Sequence, residues 1–380
     1  PCQAQAEESR AAEIERQQAE KSTRLKRYEP HAAERVIEFL HEWLLEQPSG
    51  FYPAFDSIYS GGGFTTGGIY RSYYGDEAKA EIKALYSIKN YKLFEVSTSS
   101  PGHAGDRLDL GLLAGWRDAT QVNYYGIGME SSPADRTMFR FQQAHAGGSA
   151  KLEPIPWVVL EGRVTYEDFT TNDGMGSFPS IEERYTSGTA PGLGTDPAFL
   201  HSEVAAGVDS RPSPDYSRSG GHYGVVLHDY LDPDSTWSFR RLDGNAIQHI
   251  PILRETWVLS LRGRVQTTLR DGDQVPYFLL PSLGSGETLR GYPSFRFRDR
   301  HGLLVSAEWR WIPNRYGMDM AIFYDAGKVT PLREDLNFSS LKHNWGVGVR
   351  FHAPLATVLR FDVARGSEGW QLVFAGSAAF

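Results

Sequence analysis

Leu303-Leu304-Val305-Ser306-Ala307-Glu308-Trp309-Arg310-Trp311 is the stretch whose pattern decides the fold. Leu303, Val305, Ala307, Trp309 and Trp311 alternate with Leu304, Ser306, Glu308 and Arg310. A period of two belongs to a β-strand, whose successive side chains point to opposite faces. One face of this strand is therefore apolar and the other is charged. The same period returns in Leu259, Leu261 and Val265 against Ser260, Arg262, Arg264 and Gln266. It returns again in Val347, Val349 and Phe351 against Gly348, Arg350 and His352, and in Leu359, Phe361 and Val363 against Arg360 and Asp362. Earlier in the chain, Leu108, Leu110 and Leu112 flank Asp109 and Gly111, and Val158, Leu160 and Val164 flank Glu161, Arg163 and Thr165.

Working outward from these segments predicts strands at 62–74, 79–89, 91–99, 107–117, 137–149, 154–171, 198–210, 220–231, 235–248, 254–270, 275–283, 302–313, 316–325, 343–352, 356–365 and 369–380. That makes sixteen. A soluble sandwich also alternates, but its outer face is simply solvated. Here Arg and Glu recur on one face, and Tyr70, Tyr73, Trp116, Trp309, Trp311 and Phe380 gather at the ends of the other. A polar interior and interfacial aromatic girdles give that pattern in a transmembrane barrel. Strands in lipid must satisfy every backbone hydrogen bond among themselves, which calls for a closed sheet. The expected fold is thus all-β, a 16-stranded antiparallel transmembrane β-barrel over 49–380. Tight connections such as Asn314-Arg315 suit periplasmic turns, and 172–197, rich in Gly, Pro, Ser and Thr, suits an extracellular loop.

Composition agrees. The 380 residues include 39 Gly, 20 Phe, 19 Tyr and 9 Trp but a single Cys, Cys2, so neither a disulfide nor a thiolate metal site is expected. Net charge is -8 with no basic stripe, which excludes nucleic acid as the main partner. No run long enough for a spanning helix occurs, and a mean hydropathy of -0.42 fits strands with one polar face. Residues 1–48 stand apart as a helical segment rich in Glu, Arg, Gln, Ala and Lys. Pro30 is expected to break it into two helices. The second carries an apolar face through Ala33, Val36, Ile37, Leu40, Trp43 and Leu44, to be buried either as a cap on the main domain or within a barrel mouth. The first residues read equally as an export-signal remnant, with Ala4 and Ala6 at cleavage-site spacing, or as ordinary chain.

The segment Gly284-Ser285-Gly286-Glu287-Thr288-Leu289-Arg290-Gly291-Tyr292 sits in the long connection before the strand of Glu308. Leu289-Arg290-Gly291-Tyr292 resembles the arginine-glycine-aromatic motif in the sixth extracellular loop of the BamA-type superfamily of outer-membrane assembly and translocation barrels, the bacterial surface antigen family. Five predicted strands follow it, as in that family. Phe323-Tyr324-Asp325-Ala326-Gly327 is similar to the family's F-x-D-x-G strand motif, and Asn123-Tyr124-Tyr125-Gly126-Ile127-Gly128 to its strand-to-loop sequence. The ending, Trp370 to Phe380, resembles the C-terminal signal of outer-membrane barrels. The resemblance implies that the loop folds inward and that Arg290 meets Glu308 and Asp325 on the wall. Parity agrees, since Glu308 is on the polar face of its strand and Asp325 shares a face with Asp319, opposite Met320, Ile322 and Tyr324. A guanidinium held this way makes bidentate bonds that lysine cannot copy, and Gly291 lets the backbone run close to the wall. Two departures are plain: the strand before Glu308 lacks the family's paired glycines, and the helical segment is too short for a POTRA module of about 75 residues. The resemblance is to a member lacking POTRA domains.

The function it implies is membrane-protein assembly, insertion or translocation through a lateral seam between first and last strands, in the outer membrane of a Gram-negative-type bacterium. The N-terminus would be periplasmic or in the lumen. Seam residues are Gly61, Gly62, Gly63, Phe374, Gly376 and Phe380; the glycines either weaken pairing there or permit curvature. Partners would be outer-membrane lipid, unfolded outer-membrane proteins and a second copy docked through the seam or the helices. A plugged pore lined by Arg262 and Arg264 is the alternative. A lipid hydrolase would have to use His145, His222, His228 or Ser285, yet no nucleophile elbow and no metal-spaced His pair appears. No enzyme, catalytic residue, cofactor or metal is expected.

Overall fold

The computed structural model describes residues 49–380 apart from 76, 215, 254–255, 314–316, 353–356, 377–378 and 380. The strands are β1 (Gly50–Ala54), β2 (Thr65–Tyr74), β3 (Ala78–Ser87), β4 (Lys92–Gly102), β5 (Leu108–Tyr124), β6 (Thr137–Ile155), β7 (Val158–Asp173), β8 (Ala198–Asp209) and β9 (Gly220–Leu231). They continue as β10 (Phe239–Ile252), β11 (Trp257–Thr268), the two-residue β12 (Ser282–Leu283) and β13 (Phe297–Arg298), β14 (His301–Trp311), β15 (Met318–Thr330), β16 (Lys342–His352), β17 (Thr357–Gly366) and β18 (Gly369–Ala375). Sixteen of them form one antiparallel sheet in chain order, β1 to β11 and then β14 to β18, while β12 and β13 pair by themselves inside the connection between β11 and β14.

Each hairpin neighbour pairs with the next because alternation leaves one consistent register. On β14, Ser306, Glu308 and Arg310 are buried while Trp309 and Trp311 are exposed; on β15, Asp319 and Asp325 are fully buried while Met320, Ile322 and Tyr324 face out. The outer face continues through Leu112, Trp116, Val164, Val204, Val225, Leu261, Val347, Phe361 and Leu372, all exposed. Contacts between elements far apart in strand order show the sheet to be strongly curled. The Tyr216 hydroxyl before β9 donates to Asp319 of β15 at 2.6 Å, and the ring of Phe64 before β2 lies 5.4 Å from that of Phe374 on β18. Among the described residues no ladder joins β1 to β18, and no helix is long and apolar enough to cross a membrane.

Antiparallel order places the connections 55–64, 125–136, 174–197, 269–300 and 331–341 at one end of the sheet. There Tyr59, Phe141, Phe169, Tyr277, Phe278 and Phe295 pack into an aromatic core, with Tyr59 stacked on Phe141 at 4.9 Å and on Phe295 at 5.2 Å. The connection 174–197 is part of it, since the Tyr124 hydroxyl donates to the Thr189 carbonyl at 2.7 Å.

Three expectations need correction. Residues 275–283 are not a strand of the sheet: Val275, Tyr277, Phe278 and Leu280 are buried in the aromatic core, so an apolar run that reads as a buried strand is a packed loop. The first strand is β1, hidden in sequence by Pro53 and its shortness, and paired with β2 through Gly50↔Arg71 to Ala54↔Gly67. Gly61, Gly62 and Gly63 consequently lie in the β1–β2 connection and not in the edge strand; Gly61 and Gly63 take φ of 86° and 74°, and a Cβ on Gly62 would lie 2.8 Å from the Tyr91 ring. The helices expected in 1–48, the turn at Asn314-Arg315 and the seam position Phe380 lie outside the described residues.

Candidate functional site: the Arg290 loop and its wall

The connection between β11 and β14 folds inward and is held by its own turn bonds. The Gly284 amide donates to Thr288 Oγ1 at 3.0 Å, the Phe295 amide to the Gly284 carbonyl at 2.8 Å, and the Tyr292 amide to the Leu289 carbonyl at 3.1 Å. Gly284 takes φ of 102°, and a Cβ there would collide with the Pro293 carbonyl oxygen, so only glycine fits. Leu289, Tyr292, Phe297, Leu283, Leu304 and Val329 form a small apolar cluster that anchors the turn on β14 and β15.

From this turn Arg290 reaches the wall with 2 % of its surface exposed. Nε and Nη2 donate to the two oxygens of Asp325 at 2.9 and 2.8 Å, and Nη1 donates to Glu308 Oε2 at 2.7 Å. Its guanidinium carbon lies 3.5 Å from the centre of the Phe323 ring. Burial alone would loosen its proton, but Asp325, Glu308 and Asp362 together hold its pKa above the ordinary arginine value. The structure thus brings Arg290, Glu308 and Asp325 together.

Four further residues complete the cluster. Arg350 on β16 donates to Glu308 at 2.8 Å and to Asp362 at 2.7 Å; Asn344 donates to Asp325 at 2.8 Å; Arg360 on β17 donates to the Gly286 carbonyl at 2.8 Å. Arg350, Arg360 and Asp362 read in sequence only as polar members of alternating strands. Parity could place them on the inner face, but their meeting needs the register that sets Gly348 opposite Asp362. Glycines clear the room. A Cβ on Gly348 would collide with the Asp362 carboxylate, one on Gly346 with the Phe323 ring, and one on Gly291 would lie 2.5 Å from Asn344 Cβ and 2.7 Å from the Gly366 amide. The clearance for the loop therefore comes from β16, not from the strand before Glu308.

The rest of the loop is equally tied. The Tyr292 hydroxyl donates to the His343 carbonyl at 3.2 Å, and Arg296 binds Glu368 at 2.8 Å and Ser131 Oγ at 2.7 Å. Asn123, where β5 runs out into Gly126 and Gly128, donates to the Ser294 carbonyl at 3.2 Å, and the Gly128 amide to the Arg298 carbonyl at 2.7 Å. At the far side, a Cβ on Gly286 would lie 2.5 Å from Val373 of β18, so the loop also touches the last strand. Gly376 follows β18 in a bend, and Phe374 faces outward beside Phe361 at 4.9 Å.

The residues considered for hydrolysis do not assemble. Ser285 Oγ is 3.2 Å from Thr288 Oγ1, His145 faces Glu95, and His222 faces Asp209. His249 Nδ1 does meet Ser260 Oγ at 2.8 Å, but Arg310 sits 3.4 and 3.3 Å from the two, a poor setting for an imidazole that must accept a proton. Among the described residues the combination suited to a metal is His201, Glu203 and His228, from neighbouring strands. Chain spacing hides it, because the two histidines are 27 residues apart.

Replacing Arg290 by Ala leaves buried Asp325 without its cation and Glu308 with Arg350 alone, which is expected to cost about 3–5 kcal/mol. Urea unfolding of the refolded protein measures it. Arg290→Lys is expected to recover only a minor part, since one ammonium cannot hold both Asp325 oxygens. An unchanged midpoint in Arg290→Ala would mean that the loop is seated by its apolar cluster alone. Gly291→Val, which collides with the backbone of β17, is expected to expose the loop to protease while leaving the strand content seen by circular dichroism intact.

A family model described as Omp85 superfamily domain matches residues 200–369. No curated protein matches the chain. Among solved structures, BamA from Haemophilus ducreyi lacking POTRA domains 1–3 superposes with a TM-score of 0.63 at 14 % identity, over 86 % of this chain and 68 % of that one. CdiB from Acinetobacter baumannii gives 0.53 at 12 % identity over 85 % and 58 %, and CdiB from Escherichia coli gives 0.53 at 12 % over 87 % and 59 %. This chain thus spans less than two thirds of the CdiB chains. At such identities the likeness is one of fold, an all-β sheet of sixteen strands like that of the BamA barrel. The Omp85 superfamily match falls on the residues that carry the Arg290 loop and the wall strands β14 to β17.

Proposed function

We propose that this chain is an outer-membrane barrel that assembles or translocates membrane proteins through a lateral seam between β1 and β18, without catalysing a chemical reaction. The observation that carries this reading is the contrast between the two edges of the sheet and everything between them. β1 has 5 residues and β18 has 7, no ladder among the described residues joins them, and aromatic rings meet where they approach. An edge with unpaired backbone groups is a template for another strand. In lipid that template is costly to leave open, which favours a client strand that completes it. The Arg290 loop supports the same reading, because it links the rigid wall of β14 to β17 with the last strand through Gly286 and Val373.

The exposed belt of Leu112, Val164, Val204, Val225, Leu261, Val347 and Leu372 supports placement in a bilayer, since a surface of that extent is not left to water. An outer membrane is the setting in which barrels of this kind span. An open pore is less well supported: the aromatic core fills the end where the long connections gather, and Arg262, offered as a pore residue, is engaged with the Glu287 carbonyl at 3.0 Å.

Two measurements test the reading. A photocrosslinker at Phe374 in cells is expected to capture other newly made barrel proteins; capture of only its own β1–β2 region would mean a sealed barrel and would return the pore to first place. Val204→Arg, in the middle of the outer face of β8, is expected to cost about 2–4 kcal/mol when the protein is folded into vesicles. A negligible cost there would place that face in water.

A further inference from the structure

The inner face of β7 to β10 holds a second polar cluster, separate from the one around Arg290. His201 and Glu203 stand two residues apart on β8 and so share a face. On β9, His228 is directly opposite Glu203 in the ladder, which sets His201 on its diagonal. Three potential ligand atoms converge. His201 Nε2 is 3.1 Å from His228 Nδ1, His228 Nδ1 is 3.1 Å from Glu203 Oε1, and His201 Nε2 is 3.7 Å from Glu203 Oε1. Zinc bound by nitrogen and carboxylate oxygen at about 2.0–2.1 Å in a tetrahedron keeps its ligand atoms roughly 3.3 Å apart. The triangle has the size that such an ion imposes.

The outer nitrogens strengthen the case. His201 Nδ1 faces Glu167 Oε1 of β7 at 3.3 Å, and His228 Nε2 faces Asp243 Oδ2 of β10 at 3.9 Å. A carboxylate behind each ring favours the proton on that outer nitrogen, leaving the inner nitrogens with lone pairs aimed at one point. Without an ion, two lone pairs and a carboxylate oxygen would crowd together. Asp243 is itself fixed by Arg241 at 2.9 Å and Gln266 at 2.7 Å, and the ring of Tyr230 stacks on His201 at 3.8 Å, so the rings are held in place. Glu203 turns its second oxygen toward Arg163 at 3.5 Å, which leaves the first for a ligand.

We propose that His201, Glu203 and His228 form a site for one divalent transition ion of the zinc class, with Glu167 and Asp243 as positioning residues. Two imidazoles and one carboxylate select zinc, nickel or copper over calcium and magnesium, which take oxygen shells. Three protein ligands leave a fourth position for water or another ligand. The bound ion clamps β8 to β9 across the ladder.

The test uses the full chain without a histidine tag, refolded in detergent, stripped with chelator and dialysed against Zn2+. One ion per chain is expected by elemental analysis, a visible four-coordinate absorption band with Co2+, and a zinc X-ray absorption spectrum with two imidazoles. His201→Ala and His228→Ala are expected to abolish retention, His249→Ala to keep it, and Glu167→Gln to weaken it about 10–100-fold. Heat-dependent gel migration reports whether each variant is folded. Folded wild type that retains no Zn2+, or equal retention in the folded double variant lacking both histidines, overturns the proposal. Should the histidine variants not fold, the wild-type spectrum decides, and a zinc shell without two imidazoles overturns it as well.

Discussion

Everything on the inner wall between β14 and β17 is arranged around one buried guanidinium. Arg290 lies in a loop, and a loop without strand partners has to be held by side chains. Two contacts to Asp325 and one to Glu308 supply most of the hold. Burying such a charge is costly unless it is paired and its remaining donors are used. Three arginines, Arg290, Arg350 and Arg360, stand against three carboxylates, Glu308, Asp325 and Asp362, so the cluster is neutral in formal charge. Removing any one member leaves an opposite charge stranded, and for that reason the loop and the wall behave as a unit.

Space is the second constraint, and it follows from the first. A guanidinium lying on the Phe323 ring and between carboxylates leaves no volume for a side chain on the neighbouring strand. Gly346 and Gly348 alternate on β16 with Val347 and Val349, so the glycines fall on the inner face while the valines go to the outer belt. The backbone of β16 thereby comes within reach of both the ring and the Asp362 carboxylate. Gly291 does the same for the loop itself. Packing of this kind is possible only where strand register is exact to the residue, because a slip by one would turn the valines inward.

The two polar clusters differ in how they are built. Around Arg290 the opposing charges come from a loop and from the four consecutive strands β14 to β17, which ties the loop to the sheet. Around His201 and His228 the ligands sit on adjacent strands, with carboxylates contributed by the next strands out. The first seats a loop against β14 to β17. The second would clamp β8 to β9 across their ladder.

Sequence by itself determined which residues face which way. A strand has a period of two, so parity along β14 and β15 settled the facing of Glu308, Asp319 and Asp325 against Trp309, Met320 and Ile322, and the short motif around Arg290 pointed to where a loop would turn inward. Parity says nothing about which strand lies beside which residue. The meeting of Arg350 with Asp362, the clearance at Gly346 and Gly348, and the convergence of His201 with His228 all depend on ladder register, a relation between two paired segments. Apolar content likewise cannot tell a strand from a packed loop: 275–283 is as hydrophobic as a strand yet lies in the aromatic core, and β1, with its proline and five residues, is a strand only because β2 offers it an edge. Tertiary structure decided these points, because hydrogen-bond partners and free volume are properties of pairs of segments and not of either one alone.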